Sequence, residues 1–226
     1  MPTKAVIFDA YGTLFDIHAP TAKAAAVIGD PDVAAALGKT WRDKQLQYSW
    51  LLSLMGAVKP FWDVTQDALD YALEAHGLEA NAGLKKNLLD LYFEIDCYDD
   101  VLPLFDAIGG MDAGPQTAVL SNGSRNMLDA AAKSSGLSER LDAVLSVEAV
   151  GIFKPDGRVY ALAEETFGHK ASEMTFVSCN GWDAWAAAHY GFQTVWLNRF
   201  DLPEERLPGA PKAIIKGLDA LPELLA

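Results

Sequence analysis

Lys4-Ala5-Val6-Ile7-Phe8-Asp9-Ala10-Tyr11-Gly12-Thr13-Leu14 begins as an apolar run and ends abruptly in a carboxylate, followed by a glycine and a threonine. A continuous apolar run reads as a parallel strand buried on both faces, and ligands collect just past the carboxyl ends of such strands. Asp9 therefore stands where a sheet presents chemistry. Tyr11, two residues on, is uncharged at neutral pH, its ordinary pKa being about 10.

Working outward, similar runs bounded by turn residues recur at 117–120, 143–147, 174–177 and 194–197, with a weaker one at 213–215. Helical stretches lie between or beyond them at 125–135, 157–167, 182–189 and 218–225. Strands alternating with helices predict an α/β protein, a Rossmann-like parallel sheet with helices on both faces. The gap between the first two runs breaks this rhythm. From about residue 19 to 91 the pattern is almost purely helical, with Ala36, Trp41, Leu46, Trp50, Leu51 and Leu54 at helical spacing within 32–55, and similar patterns at 61–76 and 84–93. This predicts a helical cap, residues 16–98, inserted into a core of residues 1–15 and 99–226, with re-entry near 99–107. The stretch 203–211 reads as a surface loop.

Half of the 226 residues are apolar and 22% are charged, which suits a globular protein with a real core. A formal net charge of −13 argues against nucleic-acid binding, and an anionic substrate would need local cations to hold it. The sequence shows no charged-then-apolar leader and no membrane-length apolar run, so neither secretion nor membrane insertion is expected. Cys97 and Cys179 are too few for a disulfide framework, and a cytoplasmic location is the expectation.

Further signals sit at predicted strand ends: Ser121-Asn122-Gly123, Lys154-Pro155, and Ser178-Cys179-Asn180-Gly181-Trp182-Asp183. Each alone has a plain structural explanation: a turn, a lysine before a helix start, an acid in a first helical turn. Their joint occurrence with Asp9 points to an active site containing two carboxylates, an ammonium and a hydroxyl–amide pair. In the helical segment, Thr40-Trp41-Arg42-Asp43-Lys44-Gln45-Leu46-Gln47-Tyr48-Ser49-Trp50 sets Arg42 among tryptophans and a leucine. On an arbitrary helix that arginine would be solvated. His18, His76, His169 and His189 have no matched partners and read as surface or packing residues. Strand alternation turns Cys179 away from Ser178 and Asn180, as a small buried apolar residue.

The order and spacing of these segments resemble the haloacid dehalogenase superfamily over nearly the whole chain. Phosphatase members usually carry a second Asp two residues after the nucleophile, as a general acid on the leaving oxygen. Here that position is Tyr11. They also carry acidic residues at the fourth motif, which with the nucleophile bind Mg²⁺. Here Ser178 and Asn180 leave Asp183 as that motif's only acid, a poor oxygen set for a hard cation. The segment around Arg42, with Phe61-Trp62 and 67–78, is similar to the cap of the L-2-haloacid dehalogenase family, whose arginine reaches the active site.

That resemblance implies Asp9 as nucleophile, with Thr13, Ser121, Asn122, Lys154, Tyr160, Ser178, Asn180 and Asp183 on active-site positions. It implies Arg42 as the halide- and substrate-contacting arginine, with Tyr11, Leu46, Phe61 and Trp182 as pocket walls. The implied reaction converts an (S)-2-haloacid to an (R)-2-hydroxyacid and halide through an ester on Asp9 that water hydrolyses. Lys154, Thr13 and Ser178 would orient Asp9, and Ser121 with backbone N–H groups would hold the substrate carboxylate. Arg42 with Asn122 would stabilise the departing halide, and Asp183, positioned by Asn180 and Lys154, would serve as base. No metal or cofactor is expected, and a homodimer is. Some positions depart from the family pattern: Asp43 stands where relatives often have Gln, Leu52 where they often have Arg, Gly181 for a usual Ala, and Trp185 adds bulk. Asp43 would either compete for Arg42 or face Lys39 or Lys44. A Mg²⁺-dependent phosphatase and a non-catalytic binding module are the competing expectations.

Overall fold

The computed structural model describes residues 3–225. Strand β1 (Ala5–Phe8) is fully buried, which accounts for its unbroken apolar run. The chain then leaves the sheet for four helices, α1 (Ala19–Ile28), α2 (Pro31–Met55), α3 (Phe61–Ala75) and α4 (Ala82–Phe93). It returns through α5 (Val101–Gly109), β2 (Gln116–Ser121), α6 (Arg125–Ser134), β3 (Ala143–Ser146) and α7 (Gly157–Phe167). Strand β4 (Met174–Ser178), α8 (Gly181–Tyr190), β5 (Gln193–Leu197), β6 (Ala213–Ile215) and α9 (Pro222–Leu225) complete the fold.

All strand pairs are parallel, in the order β3-β2-β1-β4-β5-β6. Phe8 lies opposite Val119 on one side and Val177 on the other, so the segments after β1, β2 and β4 emerge together. Strand order reverses between β1 and β4, and ligands bind in the crevice that such a switch point opens.

The predicted strand 143–147 ends one residue early. Ser146 Oγ accepts the Glu148 N–H at 3.2 Å and starts a 3-10 turn at Val147. The predicted tail helix 218–225 is broken into a 3-10 turn, Leu218–Ala220, and α9, because Pro222 has no N–H to carry one helix through.

Helix α2 begins at Asp30, whose carboxylate accepts the N–H groups of Asp32 and Val33, and ends at Gly56 in the left-handed conformation. Its buried seam is Ala34, Leu37, Trp41, Gln45 and Ser49. Of the apolar residues expected to form one face, only Trp41 lies in that seam. Leu46 and Trp50 are half-buried, and Ala36, Leu51 and Leu54 are exposed. The seam tolerates Gln45 and Ser49 because both are hydrogen-bonded, Ser49 Oγ donating to the Leu46 carbonyl at 2.8 Å.

The two crossings between insertion and sheet run side by side. The Tyr98 N–H donates to Leu14 O at 3.0 Å, and the Asp16 N–H to Asp96 O at 2.8 Å. A further clasp joins α2 to the segment before α7, where the Phe153 N–H donates to Ser53 Oγ at 3.2 Å.

Candidate active site

Gly12 adopts φ +91°, in the left-handed region where a side chain is strained, and its N–H returns to the Phe15 carbonyl at 2.8 Å. This turn leaves Asp9 at the end of β1 with its carboxylate facing the end of β4 and the start of α8. Asp9 Oδ2 accepts from Asn180 Nδ2 at 2.7 Å, Thr13 Oγ1 at 3.0 Å and Ser178 Oγ at 3.4 Å. Among the described residues, Oδ1 accepts only from Lys154 Nζ, at 3.2 Å. The two oxygens are therefore unequal: Oδ2 is tied by three donors and Oδ1 by one. Thr13 Oγ1 is itself fixed by the Cys179 N–H at 2.9 Å.

Lys154, 1% exposed, also donates to Asp183 Oδ2 at 2.8 Å, and the Tyr160 hydroxyl donates to Asp183 Oδ1 at 2.6 Å. Burial works against the Lys154 ammonium, but the Asp183 and Asp9 carboxylates outweigh it and hold its pKa above the ordinary lysine value. Burial pushes Asp183 up, Lys154 opposes this, and Asp9 adds to it. Burial likewise raises the Tyr160 phenol well above its ordinary range, so it stays protonated as a donor. Asn180 was expected beside Asp183. Its amide is on Asp9 and the Tyr11 carbonyl instead, and Tyr160 takes the place beside Asp183.

Arg42 reaches this cluster from α2. Its Nη2 donates to the Tyr11 carbonyl and to Asn180 Oδ1, both at 3.3 Å, and its Nη1 to Gln45 Oε1 at 2.8 Å. Asp43 does not compete, because it is exposed and paired with Lys39 at 2.5 Å. Asp9, Tyr11, Arg42, Leu46, Phe61, Ser121, Asn122, Lys154 and Trp182 line a small cavity of about 10 Å³. Among the described residues, the Tyr11 hydroxyl and Arg42 Nε are buried without a protein partner. Burial, first, raises the Tyr11 phenol well above its ordinary pKa. Asn122 Oδ1 accepts the Lys154 N–H at 2.8 Å, and Ser121 Oγ accepts the Gly123 N–H at 3.1 Å. Gly123 must lack a side chain, since a Cβ there would lie 2.8 Å from the Tyr11 ring.

A larger apolar groove of about 880 Å³ shares Lys154 and Trp182 with this cavity and adds Trp50, Leu54, Phe153 and Leu207. The histidines lie away from the carboxylates: His18 edge-on to Phe200, His76 bonded to Thr40 at 2.9 Å, His169 half-buried, and His189 on the groove. Cys179 is buried, its thiol pushed up to about 11 mainly by burial. Sequence reasoning missed Gln45, Tyr92 and Thr65, a polar cluster behind Arg42. The available signal was the spacing of Gln45, three residues after Arg42 on one helix.

A crevice at the switch point of a parallel sheet, holding a strand-end aspartate, a lysine and a second aspartate under a helical insertion, defines a class of α/β hydrolase. The profile of the haloacid dehalogenase-like hydrolases matches residues 3–191. The chain is 42% identical over 224 residues to (S)-2-haloacid dehalogenase 1 of Pseudomonas sp. (strain CBS-3), covering 99% of this chain and 97% of that protein. It is 40% identical over 223 residues to (S)-2-haloacid dehalogenase 4A of Burkholderia cepacia, with 99% and 95% covered. A solved structure of L-2-haloacid dehalogenase from Xanthobacter autotrophicus with chloropropionic acid covalently bound superposes with a TM-score of 0.87 at 34% identity, covering 99% of this chain and 98% of that one. The chain belongs to the L-2-haloacid dehalogenase family of the haloacid dehalogenase-like hydrolases.

Proposed function

We propose that the protein is a hydrolytic (S)-2-haloacid dehalogenase that converts 2-haloalkanoates to (R)-2-hydroxyacids and halide through an ester on Asp9. The carrying observation is the pair of unequal Asp9 oxygens in a small, aromatic-walled cavity that also contains Arg42. Oδ1 is the less encumbered oxygen and attacks C2 of the substrate. The C2–halogen bond breaks, its electron pair leaves with the halide, and C2 inverts. A poorly hydrated carboxylate is a better nucleophile than a solvated one, and Tyr11, Phe61, Leu46 and Trp182 keep water out.

Lys154 orients Asp9, while Thr13, Ser178 and Asn180 hold Oδ2 and leave Oδ1 to react. Arg42 stabilises the charge on the departing halide, with Asn122 beside it, and Ser121 contributes to holding the substrate carboxylate. Water then attacks the ester carbonyl and gives a proton to Asp183. An ionised carboxylate has about four acceptor sites, so the Lys154 and Tyr160 bonds leave Asp183 room for that water. The tetrahedral adduct collapses, and the bond between Asp9 Cγ and the ester oxygen breaks. The hydroxyacid departs with an oxygen from Asp9 and the second proton of the water, while the water oxygen remains on the Asp9 carboxylate and Asp183 releases its proton to solvent. Arg42 and Lys154 match the charges of Asp9 and Asp183, so the site meets a monoanionic substrate without a net negative field.

The family names of the relatives support this reading, as does the covalently bound chloropropionic acid of the Xanthobacter structure. A Mg²⁺-dependent phosphatase would need several acidic oxygens beside Asp9, whereas the groups on its carboxylate are the donors Thr13, Lys154, Ser178 and Asn180. The division into a core of residues 1–15 and 99–226 and a cap of residues 16–98 goes with this reading. So does a homodimer, supported by the exposed Leu51, Leu54 and Met55 at the end of α2. Among the described residues no helix is long and apolar enough to cross a membrane, and the free cysteines Cys97 and Cys179 support a cytoplasmic location.

Chloride release from L- and D-2-chloropropionate, side by side and with and without EDTA, tests the reading. Release from the L isomer that is insensitive to EDTA is expected. Single turnover in ¹⁸O water should give unlabelled hydroxyacid, and full labelling of that product would exclude the ester.

A further inference from the structure

Gln45 is 1% exposed, and its amide is bonded on every side. Nε2 donates to Thr65 Oγ1 at 2.8 Å and to Tyr92 Oη at 3.1 Å, and Oε1 accepts from Arg42 Nη1 at 2.8 Å. The Thr65 hydroxyl spends its only proton on the Phe61 carbonyl at 2.8 Å, so toward Gln45 it can only accept. That fixes the amide. Its NH₂ faces Thr65 and its carbonyl faces Arg42; the reverse orientation would set donor against donor at Arg42 and acceptor against acceptor at Thr65. Tyr92, whose ring stacks on that of Tyr11 at 5.3 Å and 16°, closes the other side.

The bond to Gln45 is also the shortest that the Arg42 guanidinium makes, the other two being 3.3 Å. A carbonyl oxygen holds a guanidinium without cancelling its charge, whereas a carboxylate would pair with it and drain the potential meant for an anion.

We infer that Gln45 is a positioning residue that aims Arg42 at the departing halide, its own orientation being set by Thr65 and the Phe61 carbonyl. This rests on the haloacid reading above. Gln45→Met removes the acceptor, and Gln45→Glu keeps the shape while adding a charge. Both should lower kcat/KM for L-2-chloropropionate roughly ten-fold or more, the scale of losing a hydrogen bond to a charged group. Gln45→Glu should also weaken product inhibition by bromide. In an Arg42→Ala background, followed by single-turnover chloride release, both substitutions should change the rate by less than about two-fold, because their effect passes through Arg42.

Folded Gln45 variants with wild-type kcat/KM, or losses that add fully to that of Arg42→Ala, would overturn the inference. If Gln45→Met does not fold, the near-isosteric Gln45→Glu decides alone. A wild type inert toward haloacids sinks the function itself, whereas an active wild type with indifferent Gln45 variants sinks only this assignment.

Discussion

One ammonium, that of Lys154, holds two buried carboxylates, at 3.2 Å from Asp9 and 2.8 Å from Asp183. Because the Lys154 pKa is raised, its contribution to stability is complete below the unfolded value of about 10.4 and is lost only as pH rises through the folded value. Asp183 runs the other way. Its raised pKa means that ionising it in the fold costs stability as pH rises from about 3.9 toward the folded value. Replacing Lys154 with Met leaves that charge without its partner. Lys154→Met should lower the unfolding free energy by about 3–5 kcal/mol at neutral pH, as for other broken buried pairs. The deficit should shrink in urea melts carried out at progressively lower pH, as Asp183 takes up a proton. A deficit constant with pH would show that the loss is one of packing rather than charge.

Between elements, Arg199 ties the end of β5 to the start of α5. It makes two bonds to Asp100, at 2.6 and 2.7 Å, a third to the Thr13 carbonyl at 3.3 Å, and lies 4.4 Å over the Tyr98 ring. Asp100 Oδ2 also accepts the Leu218 N–H at 2.9 Å. Burial opposes the Asp100 carboxylate, but the Arg199 and Leu218 hydrogen bonds outweigh it and depress its pKa. Arg199→Leu should cost about 1–3 kcal/mol, the range for a hydrogen-bonded charge. The loss should appear first as faster amide hydrogen exchange at Leu218. Unchanged protection there would mean that the 218–220 turn is held by its apolar contacts alone.

Over the whole molecule, the net charge of −13 opposes the approach of an anionic acid. Screening with a non-halide salt such as sodium sulfate should therefore raise kcat/KM up to about two-fold as the Debye length falls below 10 Å. A fall with salt would place steering in the local field of Arg42 and Lys154. The exposed end of α2, where Leu54 is 84% and Met55 72% exposed, is the apolar surface on which the proposed dimer rests. Sedimentation should show a dimer for the wild type and a monomer for Leu54→Glu. A wild type that sediments as a monomer at high concentration would contradict that assembly.

Sequence alone determined the parallel sheet, the helical insertion, and the list of polar residues that meet at its strand ends. Strand burial and helical periodicity are local: Ala5–Phe8 reads as a buried strand whatever packs on it, and Asp30, Pro31 and Gly56 delimit α2 by capping chemistry. Family resemblance then assigned expected roles to residues far apart in the chain, such as Asp9 and Asn180, 171 positions apart. Tertiary structure decided which atoms those residues share. It set Asn180 on Asp9 and Tyr160 on Asp183, and it rotated α2 so that Gln45 and Ser49 are buried while Leu51 and Leu54 face out. The reason is that a polar side chain is buried only where partners from distant segments satisfy it. Thr65 and Tyr92 do this for Gln45, and their approach depends on how α3 and α4 pack against α2.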